Sequence, residues 1–153
     1  FNNMSSEMEK IKSLRDSTGL SLNEIKKALT EAGGDEIKAK DVLEKLGVLM
    51  AAKKSARQVK EGIIATYVHS TKKVASVIEL LCETDFVGRN VEFQDLAHEL
   101  AVHVAAMKPG SVDDFMAQPF VKNPDLTVKE FINQHIAKLG ENIQVGRFEL
   151  FEI

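Results

Sequence analysis

The sequence predicts an α+β protein, in which a small helical module precedes a core with a three-stranded antiparallel sheet packed with helices. Two observations lead to this prediction. Before residue 47, apolar residues recur at helical spacing between residues that start and stop helices. After residue 61, two β-rich segments, two helical patterns and a final β-rich segment follow one another. We therefore predict a helical module at 4–47, a connector helix at 48–61 and an α+β core at 62–153.

The helical module is predicted to hold three short helices, each bounded by residues that favour helix ends. The first helix covers residues 8–17. The predicted boundaries are Gly19 after the first helix, a capping box of Ser21 and Glu24 with Gly33–Gly34 around the second, and Asp35 with Gly47 around the third. The residues predicted to face inward are Met8, Ile11, Leu14, Leu22, Ile25, Leu29, Ala32, Val42, Leu43 and Leu46. Small bundles of this kind have little core and often act as docking modules.

The connector helix is predicted from a cationic, alanine-containing stretch between Val48 and Lys60. Its charges include Lys53 and Lys54, and such a run more often forms a solvated face than a contact surface. Charge also changes at this point of the chain. Residues 7–61 contain 12 Lys and Arg against 10 Asp and Glu, whereas residues 62–153 contain 8 against 13. This shift supports a division into two structural parts.

The first half of the core reads as a hairpin followed by a helix. Residues 63–69 and 74–82 are rich in β-formers and flank the polar tetrapeptide 70–73, which predicts two antiparallel strands. Residues 91–107 follow the 3.6-residue period and predict a helix that ends before Pro109.

The second half of the core begins with residues 111–126, which contain two of the three prolines and read as a loop with at most one helical turn. Thr127 and Glu130 form a second capping box, so we predict a helix that ends at Gly140. Residues 143–153 read as the last strand. Their apolar positions change parity at Gly146, which predicts a β-bulge there.

Composition excludes several classes of protein. The formal net charge is −3, so nucleic acid is not expected as a direct partner, because phosphate binding needs a basic face. No apolar run is long enough for a membrane helix, and we expect no signal peptide. A single cysteine fits a reducing compartment, so we expect a cytoplasmic protein; a bacterial origin is favoured and an organellar one stays open. We expect Met4 to be the natural first residue.

The search for catalytic residues gives two candidates, and both have ordinary structural explanations. His98 and His103 stand at i and i+5, about 140° apart on a helix, whereas a zinc motif needs i and i+4. Cys82 ends an apolar run and reads as a buried hydrophobe, although a thiol enzyme using Cys82 and a histidine remains an alternative. No phosphate-binding glycine motif is present. We predict no catalytic residue, no metal site and no cofactor.

The segment 83–90 lies between a predicted strand and a predicted helix. Its Asp, Gly and Asn residues are typical of turns, but Phe86 and Val87 are not. Phe86 either folds back over the core or projects as an aromatic anchor of the kind that dominates protein interfaces. Pattern alone leaves both interpretations open.

Four segments together resemble the elongation factor Ts family, and they run in family order over residues 10–148. The segments are Leu14-Arg15-Asp16-Ser17-Thr18-Gly19 with Lys26-Lys27-Ala28-Leu29 and Ala32-Gly33-Gly34-Asp35, then Ala51-Ala52-Lys53-Lys54 with Glu61-Gly62, then Thr84-Asp85-Phe86-Val87 with Arg89-Asn90 and Phe93, and finally Leu139-Gly140-Glu141-Asn142-Ile143 with Arg147-Phe148. Their joint occurrence is far more specific than any one of them.

The resemblance implies a ubiquitin-associated-like three-helix module and an α+β core. It also implies a guanine-nucleotide exchange factor of the GTPase elongation factor Tu, which makes and breaks no bond and needs no catalytic group. In the family's mechanism the helical module grips the GTPase domain. The turn at residues 84–87 is pushed between helices of that domain near the Mg²⁺ of the nucleotide, GDP leaves, and GTP can load.

The resemblance also assigns partner-binding residues. Phe86 corresponds to the inserted side chain, Asp85 is its polar companion, and Thr84 and Val87 belong to the same turn. The remaining assigned contacts are Arg15, Leu22 and Asn23 in the helical module and Lys53 and Lys54 in the connector.

The chain departs from the family pattern in three places. Leu22 and Asn23 replace two methionines, the link between Met107 and Pro119 is short, and Gly146 stands where arginine is common. A helical binding module without exchange activity is the alternative function, and the turn at Asp85 and Phe86 argues against it. A homodimer through the terminal strand is a further hypothesis, since an unpaired edge invites pairing, and a monomeric mass at micromolar concentration would exclude it.

Overall fold

The computed structural model describes the backbone of residues 2–153 and the side chains of residues 6–153. The side chain of Met4, the expected first residue, lies outside that range. The elements are α1 (Asn2–Thr18), α2 (Leu22–Glu31), α3 (Glu36–Lys54), β1 (Glu61–Val68), β2 (Val74–Cys82), α4 (Asp85–Gly88), α5 (Val91–Met107), α6 (Val112–Ala117), β3 (Pro119–Phe120), β4 (Asn123–Thr127), α7 (Val128–Leu139) and β5 (Gln144–Glu152). The predicted α+β class with N-terminal helices and a three-stranded antiparallel sheet is confirmed.

The N-terminal helices close over a small apolar cluster of their own. Its buried members are Leu14, Leu20, Ile25, Ala28, Leu29, Ala39 and Leu43. The predicted caps are present: Ser21 Oγ accepts from Glu24 N at 3.3 Å, and Asp35 Oδ1 accepts from Ile37 N at 3.0 Å. Three residues predicted to face inward are instead exposed, namely Met8, Leu22 and Val42. Leu22 is the first residue of α2, and Val42 lies beside the buried stripe of Ala39 and Leu43 in α3.

The predicted helix end at Gly47 and the separate connector helix are wrong, because α3 runs without a break from Glu36 to Lys54. A glycine inside a helix costs only about 1 kcal/mol relative to alanine. Burial on both sides outweighs that cost here. Leu43, one turn before Gly47, is buried in the N-terminal cluster, and Ala51, one turn after it, is buried in the main core. Helix α3 therefore joins the two apolar clusters.

The three-stranded sheet has β2 in the middle, with β1 and β5 as its edges. The predicted β1–β2 hairpin is confirmed, with Glu61 opposite Cys82 and Val68 opposite Ala75. The predicted bulge is also present. The register shifts between Ile78 and Leu80, so that two residues of β5, Gly146 and Arg147, lie opposite Glu79 alone.

The bulge is held by an exposed ion pair. Arg147 donates from its backbone N and from Nε to Glu79 Oε1, each at 2.8 Å, and from Nη2 to Oε2 at 3.0 Å. These hydrogen bonds lower the pKa of Glu79 to about 2. A Cβ at Gly146 would lie 3.0 Å from the Cβ of Glu79. Because glycine has no Cβ, the Glu79 side chain has room to lie there.

The main core lies between the inner face of the sheet and the helices α5 and α7. Helix α5 has the predicted bounds, and its buried face includes Phe93, Leu96 and Leu100. The segment 111–126 contains the short helix α6, where the sequence allowed one helical turn, and also the small hairpin of β3 and β4, which was not predicted. A strand of two residues is too short to show alternation, and Pro119 and Pro124 hide it further.

His103, one of the two histidines considered for a zinc motif, is fully buried in α5. Its Nδ1 accepts from Val121 N at 3.1 Å, so the proton must reside on Nε2, which donates to Gln118 Oε1 at 2.8 Å. The ring stacks on Phe120 with 5.9 Å between ring centroids. A neutral histidine therefore attaches the segment 118–121 to α5. Burial lowers its pKa from the ordinary value of 6.5.

We expect the free energy of unfolding to fall as the pH drops below about 6.5. Since the folded-state pKa of His103 is lowered, the unfolded chain binds more protons in that range. Protonation would also place an N–H on Nδ1, facing the N–H of Val121. Burial lowers the pKa of His135 in the same direction. Urea unfolding at pH 7.5 and pH 5.5 measures the loss.

The variant His103→Leu should show a smaller difference between the two pH values and a lower stability at pH 7.5, because Val121 N–H and Gln118 lose their partner. The control His98→Gln changes an exposed histidine on the same helix and should keep the pH dependence of the parent protein. An unchanged pH dependence in His103→Leu would show that His103 is not the group responsible.

Candidate functional site

Phe86 is the most exposed Phe or Tyr side chain among the described residues. It lies in α4, a single helical turn where the sequence predicted a simple turn. Its side chain is 79% exposed, whereas its neighbour Val87 is 9% exposed and belongs to the main core. Of the two interpretations left open by the pattern, projection is therefore the one that the structure supports. Val87 holds the turn to the core while Phe86 points away from it.

The turn is anchored by the carboxylate of Glu141, which lies just after α7. Glu141 Oε1 accepts from Glu83 N at 3.1 Å and from Thr84 N at 3.0 Å. Its Oε2 accepts from Thr84 Oγ1 at 2.6 Å. Thr84 Oγ1 in turn accepts from Val87 N at 3.4 Å as the N-cap of α4. One charged side chain thus satisfies three donors at the start of the turn, and such charge-assisted bonds are the strong ones.

A second set of contacts runs in the opposite direction. Glu83 Oε1 accepts from Asn142 N at 2.8 Å and lies 3.6 Å from Arg57 Nη1. Asn142 Nδ2 donates to Arg57 O at 2.8 Å and to Ser55 O at 3.4 Å. Residues that follow α3, β2 and α7 are therefore tied together directly beneath the turn. The predicted connector helix would have continued through Ser55 and Arg57. Their carbonyl oxygens instead accept hydrogen bonds from Asn142, and α3 ends before them.

The exposed side of the turn carries one ion pair, between Asp85 and Arg89. The Arg89 guanidinium also lies 5.9 Å from the centre of the Phe86 ring. Both charged groups are more than half exposed, so their pairing contributes little to stability. They instead place charged groups beside the apolar ring of Phe86.

Cys82 lies beneath the turn and is fully buried. Its Sγ donates to Thr84 O at 3.2 Å. Burial raises the pKa of this thiol to about 11, which keeps it protonated at neutral pH. The cysteine therefore supports the turn as a small buried side chain with one weak hydrogen bond.

The other predicted partner-binding residues lie on three helices. Lys53 and Lys54 are the last residues of α3, directly before the segment tied to Asn142. Arg15 lies in α1, and Leu22 and Asn23 begin α2; all three are exposed. The structure thus places the lysines just before the segment whose carbonyls bind Asn142, and the other three on the N-terminal helices.

Sequence reasoning gave no role to Glu83, Glu141 and Asn142. Glu141 and Asn142 belong to a segment that resembles the family, and Glu83 is only the first residue of the predicted turn segment 83–90. The available signal was the polar pair Glu141 and Asn142, between the predicted helix end at Gly140 and the last strand. A loop at this position would tolerate any polar residue. Their function depends on contacts between residues 57 to 59 positions apart in the chain, which no local pattern reveals.

Among residues whose side chains are described, no three His, Cys, Asp or Glu groups come close enough to hold a metal ion. Within the described chain, none of the helices has the length and apolar character needed to cross a membrane.

Comparison with known proteins gives one consistent result. The family model described as elongation factor TS matches residues 83–153. The protein named elongation factor Ts from Thermosipho melanesiensis is 39% identical over 188 aligned residues, which cover 94% of this chain and 96% of the relative. The one from Herpetosiphon aurantiacus is 35% identical and covers 98% of both chains. The one from Clostridium tetani is 42% identical over 94% of this chain and 47% of its own length.

The first alignment also bears on the short link in this chain. It spans 188 positions, whereas this chain has 153 residues. The relative therefore carries residues with no counterpart here, as a shortened link between Met107 and Pro119 would produce.

Proposed function

We propose that this chain, which belongs to the elongation factor Ts family, binds elongation factor Tu in its GDP form and promotes release of the nucleotide. The observation that carries the proposal is the 79% exposed Phe86 on a turn that Glu141 and Val87 fix to the core. An exposed aromatic side chain contributes little to the stability of the isolated protein. On a rigid turn it can enter a partner with little further loss of conformational entropy.

The proposed step is mechanical rather than chemical. Phe86 enters between helices of the GTPase domain near the Mg²⁺ of the nucleotide, and Asp85 accompanies it as a negative group. Tight phosphate binding depends on oriented backbone N–H groups and on Mg²⁺. A displacement of either weakens the hold on GDP. GTP then loads into the emptied site.

Exchange follows from thermodynamic linkage. A protein that binds nucleotide-free GTPase more tightly than the GDP form must lower the affinity for GDP by the same factor. No bond forms or breaks, so the proposal assigns no catalytic residue and no cofactor to this chain. We place this activity in the bacterial cytoplasm, where translation takes place.

The remaining predicted contacts extend the bound surface. Arg15, Leu22 and Asn23 provide exposed groups on the N-terminal helices that would grip the GTPase domain. Lys53 and Lys54 add positive charge beside the anchored turn. Binding at two places orients the turn before it enters the GTPase.

The affinity for two forms of elongation factor Tu tests the proposal. Isothermal titration should show much tighter binding to the nucleotide-free form than to the GDP form, by a factor of at least about 10, equivalent to 1.4 kcal/mol. Equal affinity for both forms would contradict exchange activity and support the alternative of a helical binding module. No binding to either form would overturn the proposal.

A further inference from the structure

We infer that α7 holds the N-terminal helices and the Phe86 turn in one fixed orientation, and that Gly19 is the positioning residue of this arrangement. The effect on exchange rests on the proposed function, whereas the effect on orientation belongs to the free protein. The inference starts from the C-terminal half of α7, which contacts the N-terminal helices and leads directly to the anchor of the turn.

The backbone at Gly19 approaches α7 more closely than any side chain would allow. Its φ is +71°, and a Cβ at this position would lie 2.4 Å from Gln134 O and 3.1 Å from the Cβ of Lys138. The first atom belongs to the backbone of a helix and cannot move aside cheaply. Thr18 and Leu20 on either side of Gly19 are buried. Gly19 thus ends α1, as predicted, and also serves as a close contact with α7.

The same end of α7 leads directly to the turn. Gly140 caps the helix, and the next residue is Glu141, whose carboxylate anchors Thr84. Lys138, which lies against Gly19, also pairs with Glu92 of α5 at 3.1 Å. Gln134 and Glu141 are seven residues apart, about 10 Å along a helical backbone. A short, stiff segment therefore separates the Gly19 contact from the anchor of the turn.

Helix α3 alone would not fix the orientation. Helix α3 joins the two apolar clusters. A single continuous helix, however, would leave the N-terminal helices free to tilt relative to the core. A cleft of about 210 Å³ lies between α3 and α7, lined in part by Gly47, Val48, Asn133 and Gln134. This incomplete packing leaves space for such a tilt. The close approach of Gly19 to Gln134, together with Ala137 packed against the N-terminal cluster, restricts such a tilt.

A fixed orientation matters because two surfaces are proposed to bind one partner. When the second surface is already in place, its binding is intramolecular and benefits from a high effective concentration. A tilting module loses that benefit. The Phe86 turn keeps its Glu141 anchor, so the exchange rate at saturation should change little.

The orientation can be measured in the free protein with two spin labels, at Lys27→Cys on α2 and Gln94→Cys on α5, both exposed positions. Native Cys82 is buried and should react poorly with the label. In this background we expect Gly19→Ala to broaden the distance distribution between the labels. The control Gly33→Ala has a similar positive φ of +63° but open space around it, so it introduces comparable backbone strain without the collision. It should leave the distribution unchanged.

A variant on the other side of the contact makes the test independent of Gly19. Ala137 of α7 packs against the N-terminal cluster, and Ala137→Gln should broaden the distribution in the same way. If folded Gly19→Ala and folded Ala137→Gln both keep the narrow distribution of the parent, the inference is overturned. Equal broadening in Gly33→Ala would also overturn it, because strain alone would then explain the effect.

Exchange on elongation factor Tu then tests the consequence. Gly19→Ala should raise the concentration that gives half-maximal GDP release by at least tenfold, with a saturating rate within about twofold of the parent protein. An unchanged half-maximal concentration despite broadened distances would refute the link between orientation and binding. Absence of exchange in the parent protein would count against the proposed function and leave the distance result standing.

Discussion

The variant Phe86→Ala should lose most of the exchange activity while remaining almost as stable as the parent protein. Because the side chain is 79% exposed, its removal should change the free energy of unfolding by no more than about 0.5 kcal/mol. A buried aromatic anchor in an interface contributes about 2–4 kcal/mol, so the accelerated rate of GDP release should fall about 30-fold or more. Urea unfolding and a fluorescent GDP release assay measure the two effects.

Two further variants separate the contribution of Phe86 from general effects. Phe93→Ala removes a fully buried ring and should cost about 3–5 kcal/mol of stability. Ile37→Ala removes a side chain that is 83% exposed on α3 and should alter neither stability nor exchange. A stability loss in Phe86→Ala as large as that in Phe93→Ala would show that Phe86 packs in the core.

The variant Glu141→Ala should impair both the fold and exchange. It leaves Glu83 N, Thr84 N and Thr84 Oγ1 without their shared acceptor. Partly buried donors left unpaired should reduce the free energy of unfolding by about 1–3 kcal/mol in total. The turn would then sample other orientations, and the saturating rate of GDP release should fall at least about tenfold. The assay must use concentrations at which the variant is fully folded.

Glu141→Gln serves as the matched control. Its single acceptor oxygen can still serve the two backbone donors, while its amide faces the Thr84 hydroxyl, which can accept instead. Both stability and exchange should lie between those of the parent and Glu141→Ala. If Glu141→Ala lowers stability but leaves the saturating rate intact, the carboxylate stabilises the fold without positioning Phe86.

Gly19 and Glu141 should affect different kinetic quantities. Loss of the Gly19 contact is expected to raise the concentration needed for exchange, because it disturbs the relative placement of two surfaces. Loss of the Glu141 anchor is expected to lower the saturating rate, because it disturbs the group that enters the GTPase. This difference distinguishes orientation of the module from preparation of the turn.

Much of the fold follows from local chemistry. The caps at Ser21, Asp35 and Thr127 lie where the spacing placed them, and the bounds of α5 agree with its apolar period. The error at Gly47 has a tertiary cause. Gly47 stops a helix in isolation, but burial of Leu43 and Ala51 on either side carries α3 through it. Tertiary burial outweighed a local preference.

The candidate site was less predictable than the fold. The residues around Phe86 signalled an unusual turn, but the pattern could not tell a buried ring from a projecting one. The groups that hold the turn are distant in sequence, since Glu141 binds residues 57 and 58 positions before it. Gly19 was predicted only as a helix end, because a collision with α7 cannot be read from one segment alone.

The most direct test of the central claim is the dissociation rate of fluorescent GDP from bacterial elongation factor Tu, measured with no addition, with a saturating amount of this protein, and with a saturating amount of Phe86→Ala. The proposal predicts strong acceleration by the parent protein and its near loss in the variant. Acceleration that Phe86→Ala retains in full would contradict the role of Phe86. No acceleration by the folded parent protein would contradict exchange activity itself.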